Sequence, residues 1–363
     1  MIMIKSDRKN REIGSSFWET EWGGNGLKVL NAQICDPVFS LSGRTSLLQI
    51  IEDIKSRRDV RTAMLPSYCC DSMIEPFIRS GIQVEFYPVV VDENGLKAVF
   101  QRTSAPDIVM SMSWFGTGIG ERNALEEVIK SNSPETVVIR DATHSLLSEE
   151  ADSGACDYIF ASVRKWTGTK GAGVIIKSPE KMEPYTENNT VFSKIISEAM
   201  DLKKYYIAGE SSLKDRFLRL YSEGESILDC DYVGYGADER DVRAISELNV
   251  DYIIQIRKRN FSILASRRDM FHRKGITPLI KGLKDGEVPL FYPVILGNKF
   301  ERDRLRRYLI DSEVFCPVHW PVTEMHTLSE DEKAIYDREL SIVCDQRYDE
   351  EDMERVVDLI YKF

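Results

Sequence analysis

Residues 137–176 read VVIRDATHSLLSEEADSGACDYIFASVRKWTGTKGAGVII. The apolar run Val137-Val138-Ile139 stops at Asp141, and a second, Tyr158-Ile159-Phe160-Ala161, leads through Ser162 to Arg164 and Lys165. A glycine-bearing turn, Gly168 to Gly173, then opens a third run, Val174-Ile175-Ile176. Short β-branched and aromatic runs bounded by turn residues predict strands. The stretch therefore sets one carboxylate and one lysine at strand ends beside a glycine turn. In an open α/β sheet, that edge is where ligands bind.

A lysine at a strand end is ordinarily a solvated surface residue. It can also be held as a Schiff base by an aldehyde cofactor, chemistry that needs a lysine together with an Asp or Arg partner for a pyridine nitrogen. Asp141 lies one connection and one strand before Lys165, which favours the second reading.

The segments Asp141-Ala142-Thr143-His144-Ser145, Ser162-Val163-Arg164-Lys165-Trp166 and Gly171-Ala172-Gly173 together resemble the pyridoxal-phosphate core of the DegT/DnrJ/StrS-type aminotransferases. These are sugar-type members of the aspartate-aminotransferase fold superfamily. The resemblance implies that Asp141 binds the pyridinium, that His144 lies by the ring's phenolic oxygen, that Ser162 binds cofactor phosphate and that Lys165 carries the cofactor. The family more often has Gln at the His144 position and a longer gap between serine and lysine, so the Arg-Lys-Trp form marks a side branch.

The implied architecture is an α/β large domain with a mostly parallel, seven-stranded-type sheet, followed by a smaller C-terminal α+β domain. The expected divisions are an N-terminal arm at 1–35, a cofactor-binding domain at 36–255 and a small domain at 256–363. At 363 residues the chain is long for a single core, which agrees with two domains.

Working outward, Leu41-Ser42-Gly43-Arg44-Thr45 leads into an amphipathic helix. A helix N-terminus offers N–H groups and a favourable dipole to an anion, and it can equally be a plain cap on Ser42 or Thr45. The resemblance makes Gly43, Arg44 and Thr45 contacts of the cofactor phosphate. Thr62–Leu65 predicts a strand, residues 72–80 a helix and Val84–Val89 a strand, a unit that favours parallel pairing. In the superfamily a residue just after the first of these strands stacks on the cofactor ring. Tyr68 is expected there, or Cys70 if the register shifts by two; packing beneath the loop is the alternative for Tyr68.

Asp107–Ser113 predicts another strand, ending in Trp114-Phe115-Gly116, where Ser113 stands in place of the family's usual His. Trp114 and Phe115 are candidates for the substrate cleft, with core packing the alternative. Helices are expected over 121–132, 189–206 and 211–225, and one or two long ones over 238–272. The family's Gly-x-Asn-x-Arg, whose Asn reaches the partner subunit, is replaced by Gly234-Tyr235-Gly236-Ala237. In the small domain, His319 and Trp320 are candidates to cap a sugar face. Arg347 is a candidate clamp for a carboxylate or phosphate, against the alternative of an ion pair with Asp349 or Glu350.

Composition excludes other classes. With 48 basic residues against 59 acidic the net charge is −11, which disfavours nucleic-acid and anionic-membrane surfaces. The start lacks an apolar signal segment and no long apolar run occurs, so a cytoplasmic location is expected. The seven cysteines show no zinc spacing and the four histidines are dispersed, so no metal is expected. The sequence thus predicts a homodimeric pyridoxal-phosphate aminotransferase taking an amino donor, glutamate by family habit, and a keto-sugar acceptor, nucleotide-linked by the same resemblance. The rivals are another pyridoxal-phosphate reaction on the same fold (a lyase or dehydratase) and a non-catalytic binding protein.

Overall fold

The computed structural model describes residues 12–26, 37–92, 95–100, 106–148 and 155–363. The first residues of the expected arm and its boundary at residue 35 lie outside these.

Seven strands form the main sheet: β1 (Val38–Ser40), β2 (Thr62–Pro66), β3 (Gln83–Tyr87), β4 (Ile108–Met112), β5 (Val137–Asp141), β6 (Tyr158–Ser162) and β7 (Gly173–Lys177). Their order is β1-β7-β6-β5-β4-β2-β3. The pairs β2·β3, β2·β4, β4·β5 and β5·β6 are parallel, and β7 runs antiparallel to both neighbours. β4 and β6 are buried along their whole length, which is why they read as continuous apolar runs.

Helices cover the sheet and extend the chain beyond it: α1 (Gly43–Arg57), α2 (Asp71–Arg79), α3 (Ile119–Asn132), α4 (Thr190–Ile207), α5 (Lys214–Cys230), α6 (Glu239–Ser246) and α7 (Val250–Ala265). The stretch 238–272 breaks into α6, α7 and a short α8 (Arg268–Arg273) rather than one or two long helices. Asn249 supplies the break: its side chain caps α7 by accepting the Tyr252 N–H. The expected division at 255/256 falls inside α7.

The C-terminal part pairs β8 (Thr277–Pro278), β9 (Tyr292–Ile295) and β10 (Glu339–Ile342) in an antiparallel sheet, packed with α9 (Lys299–Asp311), α10 (Glu330–Arg338) and α11 (Glu350–Lys362). One buried apolar cluster runs without interruption from α1 and the main sheet to Ile360 of α11. The described arm adds its own pairing: Ile13–Gly14 lies parallel to Val314–Phe315 of the small domain.

Candidate active site

The parallel strands β4, β5 and β6 end at Met112, Asp141 and Ser162, so these three residues share one sheet edge. Antiparallel β7 begins at that edge, with Gly173 opposite both Ser162 and Ser40. β1 leads from there into α1. The glycines of the turn make this approach possible. A Cβ on Gly171 would lie 2.1 Å from the Leu41 carbonyl oxygen, and one on Gly173 would lie 2.1 Å from that of Ser42. The Asp241 carboxylate fastens the turn by accepting the Lys170 and Gly171 N–H groups, each at 3.1 Å.

A cavity of 270 Å³ opens at this edge, walled by Gly43, Arg44, Cys70, Asp141, His144, Ser162, Lys165 and Trp320, together with Glu225, Leu228 and Asp229 of α5. At the start of α1 the Ser42 side chain caps the Thr45 N–H at 3.2 Å, while Gly43 and Arg44 stand at the cavity wall. Gly43 is a close approach: an added Cβ would meet the Ser162 Cβ at 3.0 Å. A helix N-terminus and a serine hydroxyl so placed form a cradle for a phosphate.

Asp141 accepts the Thr143 N–H at 2.7 Å and presents its carboxylate to the cavity. His144 is buried, and its Nδ1 accepts the Phe115 N–H at 3.2 Å. Burial, aided by the Lys165 charge, depresses its pKa to about 3, so the ring is neutral and carries its proton on Nε2. Phe115 makes that bond from a left-handed backbone, φ +58°, which a bulky residue rarely adopts. The Trp320 ring lies 5.4 Å from that of His144.

Lys165 follows β6 in a single turn of 3-10 helix, Val163–Lys165. Its side chain is exposed to the cavity although ringed by protein. The neighbouring Arg164 guanidinium lowers its pKa, burial adds to this, and Glu225, Cys70 and Asp141 oppose it. The net direction favours the neutral, nucleophilic amine. Arg164 itself is held by both oxygens of Glu225.

Lys165, Arg164 and Glu225 also line a second cavity of 500 Å³, bounded by the arm, α4, α5 and the small domain. The lysine is thus reachable from the small cavity at the start of α1 and from the larger one.

Several expected site residues stand elsewhere. Tyr68 is fully buried: its hydroxyl donates to the His319 carbonyl at 2.5 Å and its ring packs on Tyr336 and Trp320. Cys70, two residues on, occupies the cavity wall instead, and burial raises its thiol pKa. Thr45 is turned inward, its hydroxyl donating to the Tyr232 carbonyl at 2.9 Å. Arg44 lines the cavity, but its guanidinium pairs with Asp229 at 3.0 Å. Trp114 donates its indole N–H to the Tyr68 carbonyl and lines a separate space by Glu121 and Glu287.

His319 is likewise packed into the protein. Its Nδ1 lies 2.9 Å from the Ser341 hydroxyl, its N–H donates to Glu339, and its ring contacts those of His144 and Phe291. Arg347 borders the larger cavity, yet its fork is taken up within the chain. Nε and Nη2 bind Asp345 at 2.9 and 2.7 Å, and Nη1 donates to the Ser15 and Ser16 carbonyls. Its two-point pair is therefore with Asp345. Glu225, Leu228 and Asp229 escaped the sequence reading because α5 reads there as a solvated, charged helix.

Among the described residues no helix is long and apolar enough to cross a membrane, and no cluster of three metal-ligating side chains occurs.

The sequence matches no family model and no curated protein. Its structure resembles solved aminotransferases. The PseC aminotransferase of Helicobacter pylori, involved in pseudoaminic acid biosynthesis, aligns with a TM-score of 0.62 at 13% identity, over 97% of this chain and 99% of that one. A DegT/DnrJ/EryC1/StrS aminotransferase of Brucella abortus gives 0.58 at 14%, over 91% and 86%. The sugar aminotransferase CalS13 of Micromonospora echinospora gives 0.53 at 14%, over 95% and 93%. Across nearly its whole length, the chain has the fold of these aminotransferases.

Proposed function

We propose that the protein is a homodimeric, cytoplasmic, pyridoxal-phosphate-dependent aminotransferase that moves an amino group from an amino acid, glutamate, to the carbonyl carbon of a nucleotide-linked keto-sugar. The observation behind this is the position of Lys165, which borders both the phosphate-cradling cavity and the larger one. Transamination needs one amine that serves the cofactor on one side and the substrate on the other.

The residues present fit the cofactor. Ser162 and the N–H groups at Gly43 and Arg44 would hold its phosphate, Asp141 its ring nitrogen, and His144 its phenolic oxygen through Nε2–H. Lys165 Nζ would hold its aldehyde carbon. When bound, pyridoxal phosphate supplies an electron sink for the carbanion at the substrate carbon. Asp141, as a carboxylate beside the ring nitrogen, would keep that nitrogen protonated. Lys165 Nζ, once freed by an incoming amine, would take the proton from the substrate carbon, and the lowering of its pKa by Arg164 and by burial shifts it toward the neutral form that can accept a proton. Trp320 and Cys70 line the same cavity and would flank the ring. Exposed Val191 and Tyr205 on α4 and Leu218 on α5 offer apolar surface to a second subunit.

Glutamate added to the loaded enzyme without acceptor tests the reading. Pyridoxamine phosphate and 2-oxoglutarate should accumulate in equal amounts. Release of ammonia with an elimination product, or no change in the cofactor, contradicts it.

A further inference from the structure

Among the described residues, the larger cavity carries six cationic side chains, Arg164, Lys165, Lys170, Arg257, Arg306 and Arg347, against two carboxylates, Glu225 and Asp345. This local excess stands in a chain whose net charge is −11. A cleft of one sign focuses field lines and concentrates ligands of the other sign.

Most of those cations are already engaged. Arg164 is held by Glu225, and Lys170 pairs with Asp238 at 2.7 Å. Arg257 donates to the Leu290 carbonyl and to Gln346, with its guanidinium 4.6 Å from the centre of the Trp166 ring. Arg347 is bound to Asp345. Lys165 belongs to the cofactor in the reading above.

Arg306 differs. It sits on α9, one turn before Ile310, and both line the cavity. Its partner among the described residues is the Cys316 carbonyl, which accepts from Nε at 3.3 Å. That bond fixes one edge of the fork, and Arg306 is an exposed residue that lines the cavity. On the same helix, Arg302 is buried against the Tyr336 and Glu339 carbonyls, and Arg304 covers the Phe363 ring.

We infer that the larger cavity binds a substrate through an oxyanion, and that Arg306 makes the charged contact with its Nη1–Nη2 edge. Carboxylate and phosphate both suit a planar fork held at Nε. Apolar walls from Met200, Phe291 and Phe315 lie beside it for the uncharged body of the ligand. The inference rests on the larger cavity being the substrate side of Lys165.

Titration calorimetry on the full-length, cofactor-loaded protein tests it, with inorganic pyrophosphate as the phosphate probe and glutarate as the carboxylate probe. Arg306→Gln should weaken at least one probe by about tenfold, roughly the factor that one charged contact sets. Arg306→Lys should recover part of the loss. Arg307→Gln, on the same helix and outside the cavity lining, should change neither. Loss confined to pyrophosphate assigns the site to a phosphorylated acceptor; loss confined to glutarate assigns it to the amino donor. The inference is overturned if neither probe binds the wild type, if Arg306→Gln binds both as the wild type does, or if Arg307→Gln loses as much. Borohydride labelling of Lys165 in the same samples separates the two proposals. Labelling without Arg306-dependent binding removes the oxyanion contact alone, and Arg306-dependent binding without labelling removes the aminotransferase reading alone.

Discussion

Arg347 and Asp345 form a buried two-point pair, with Nε–Oδ1 at 2.9 Å and Nη2–Oδ2 at 2.7 Å. The same guanidinium donates to the Ser15 and Ser16 carbonyls and lies 4.0 Å from the centre of the Phe17 ring. It therefore ties the described arm to the end of the small-domain sheet. The arginine that looked like a substrate clamp is a fastening between segments more than three hundred residues apart in sequence.

Arg347→Lys should lower stability by about 2 kcal/mol, because an ammonium cannot reproduce two parallel bonds and a ring contact in a buried site. Thermal unfolding should show this as a lower Tm, while the KM values of both substrates stay as in the wild type. A tenfold rise in one KM at unchanged Tm contradicts the structural role.

Asp141→Ala should leave the fold intact and retain some cofactor, but reduce kcat by about 10²–10³-fold, the usual cost of removing one preorganised electrostatic partner. Absorbance of the bound cofactor and single-turnover rates measured together check this. Full activity in the variant contradicts the pyridinium role.

Glu339 predicts a pH dependence of stability. Its side chain is buried, one oxygen accepting the Ser341 hydroxyl at 2.5 Å and the other the His319 N–H at 2.9 Å. Burial raises its pKa from 4.5 to about 8, against those two bonds. Between these values the folded state binds the proton and the unfolded state does not. The stabilisation is complete below the lower value and is lost as pH rises through the higher one. Glu339→Gln keeps the shape, and the Ser341 hydroxyl can turn to accept from the amide. The variant's Tm should gain on the wild type as pH rises from about 5 to about 8.5. Parallel curves contradict the assignment.

Much of the sheet edge was legible in the sequence. β5 and β6 carry their own ends in Asp141 and Ser162, and the glycines of 168–173 announce a close approach. What stayed hidden depends on partners far along the chain. Tyr68 and Cys70 are two residues apart and face opposite environments, because the Tyr68 hydroxyl finds the His319 carbonyl, 251 residues away. The hairpin Val89–Asp92 with Gly95–Ala98 was missed, whereas the apolar run before Asp345 reads as a strand and is one, Glu339–Ile342. The cavity wall made by α5 was hidden for a different reason. Glu225 and Asp229 look like solvated charges, and only the fold turns them toward Arg164 and Arg44.

Lys165 is the residue on which the aminotransferase reading stands. Borohydride reduction of the purified, cofactor-loaded protein followed by peptide mass spectrometry tests it most directly. The yellow colour should be lost, and the reduced cofactor's mass should appear on the peptide containing Lys165, while Lys165→Ala takes up no label. A reducible adduct that persists in Lys165→Ala, or a label on any other lysine, contradicts the assignment.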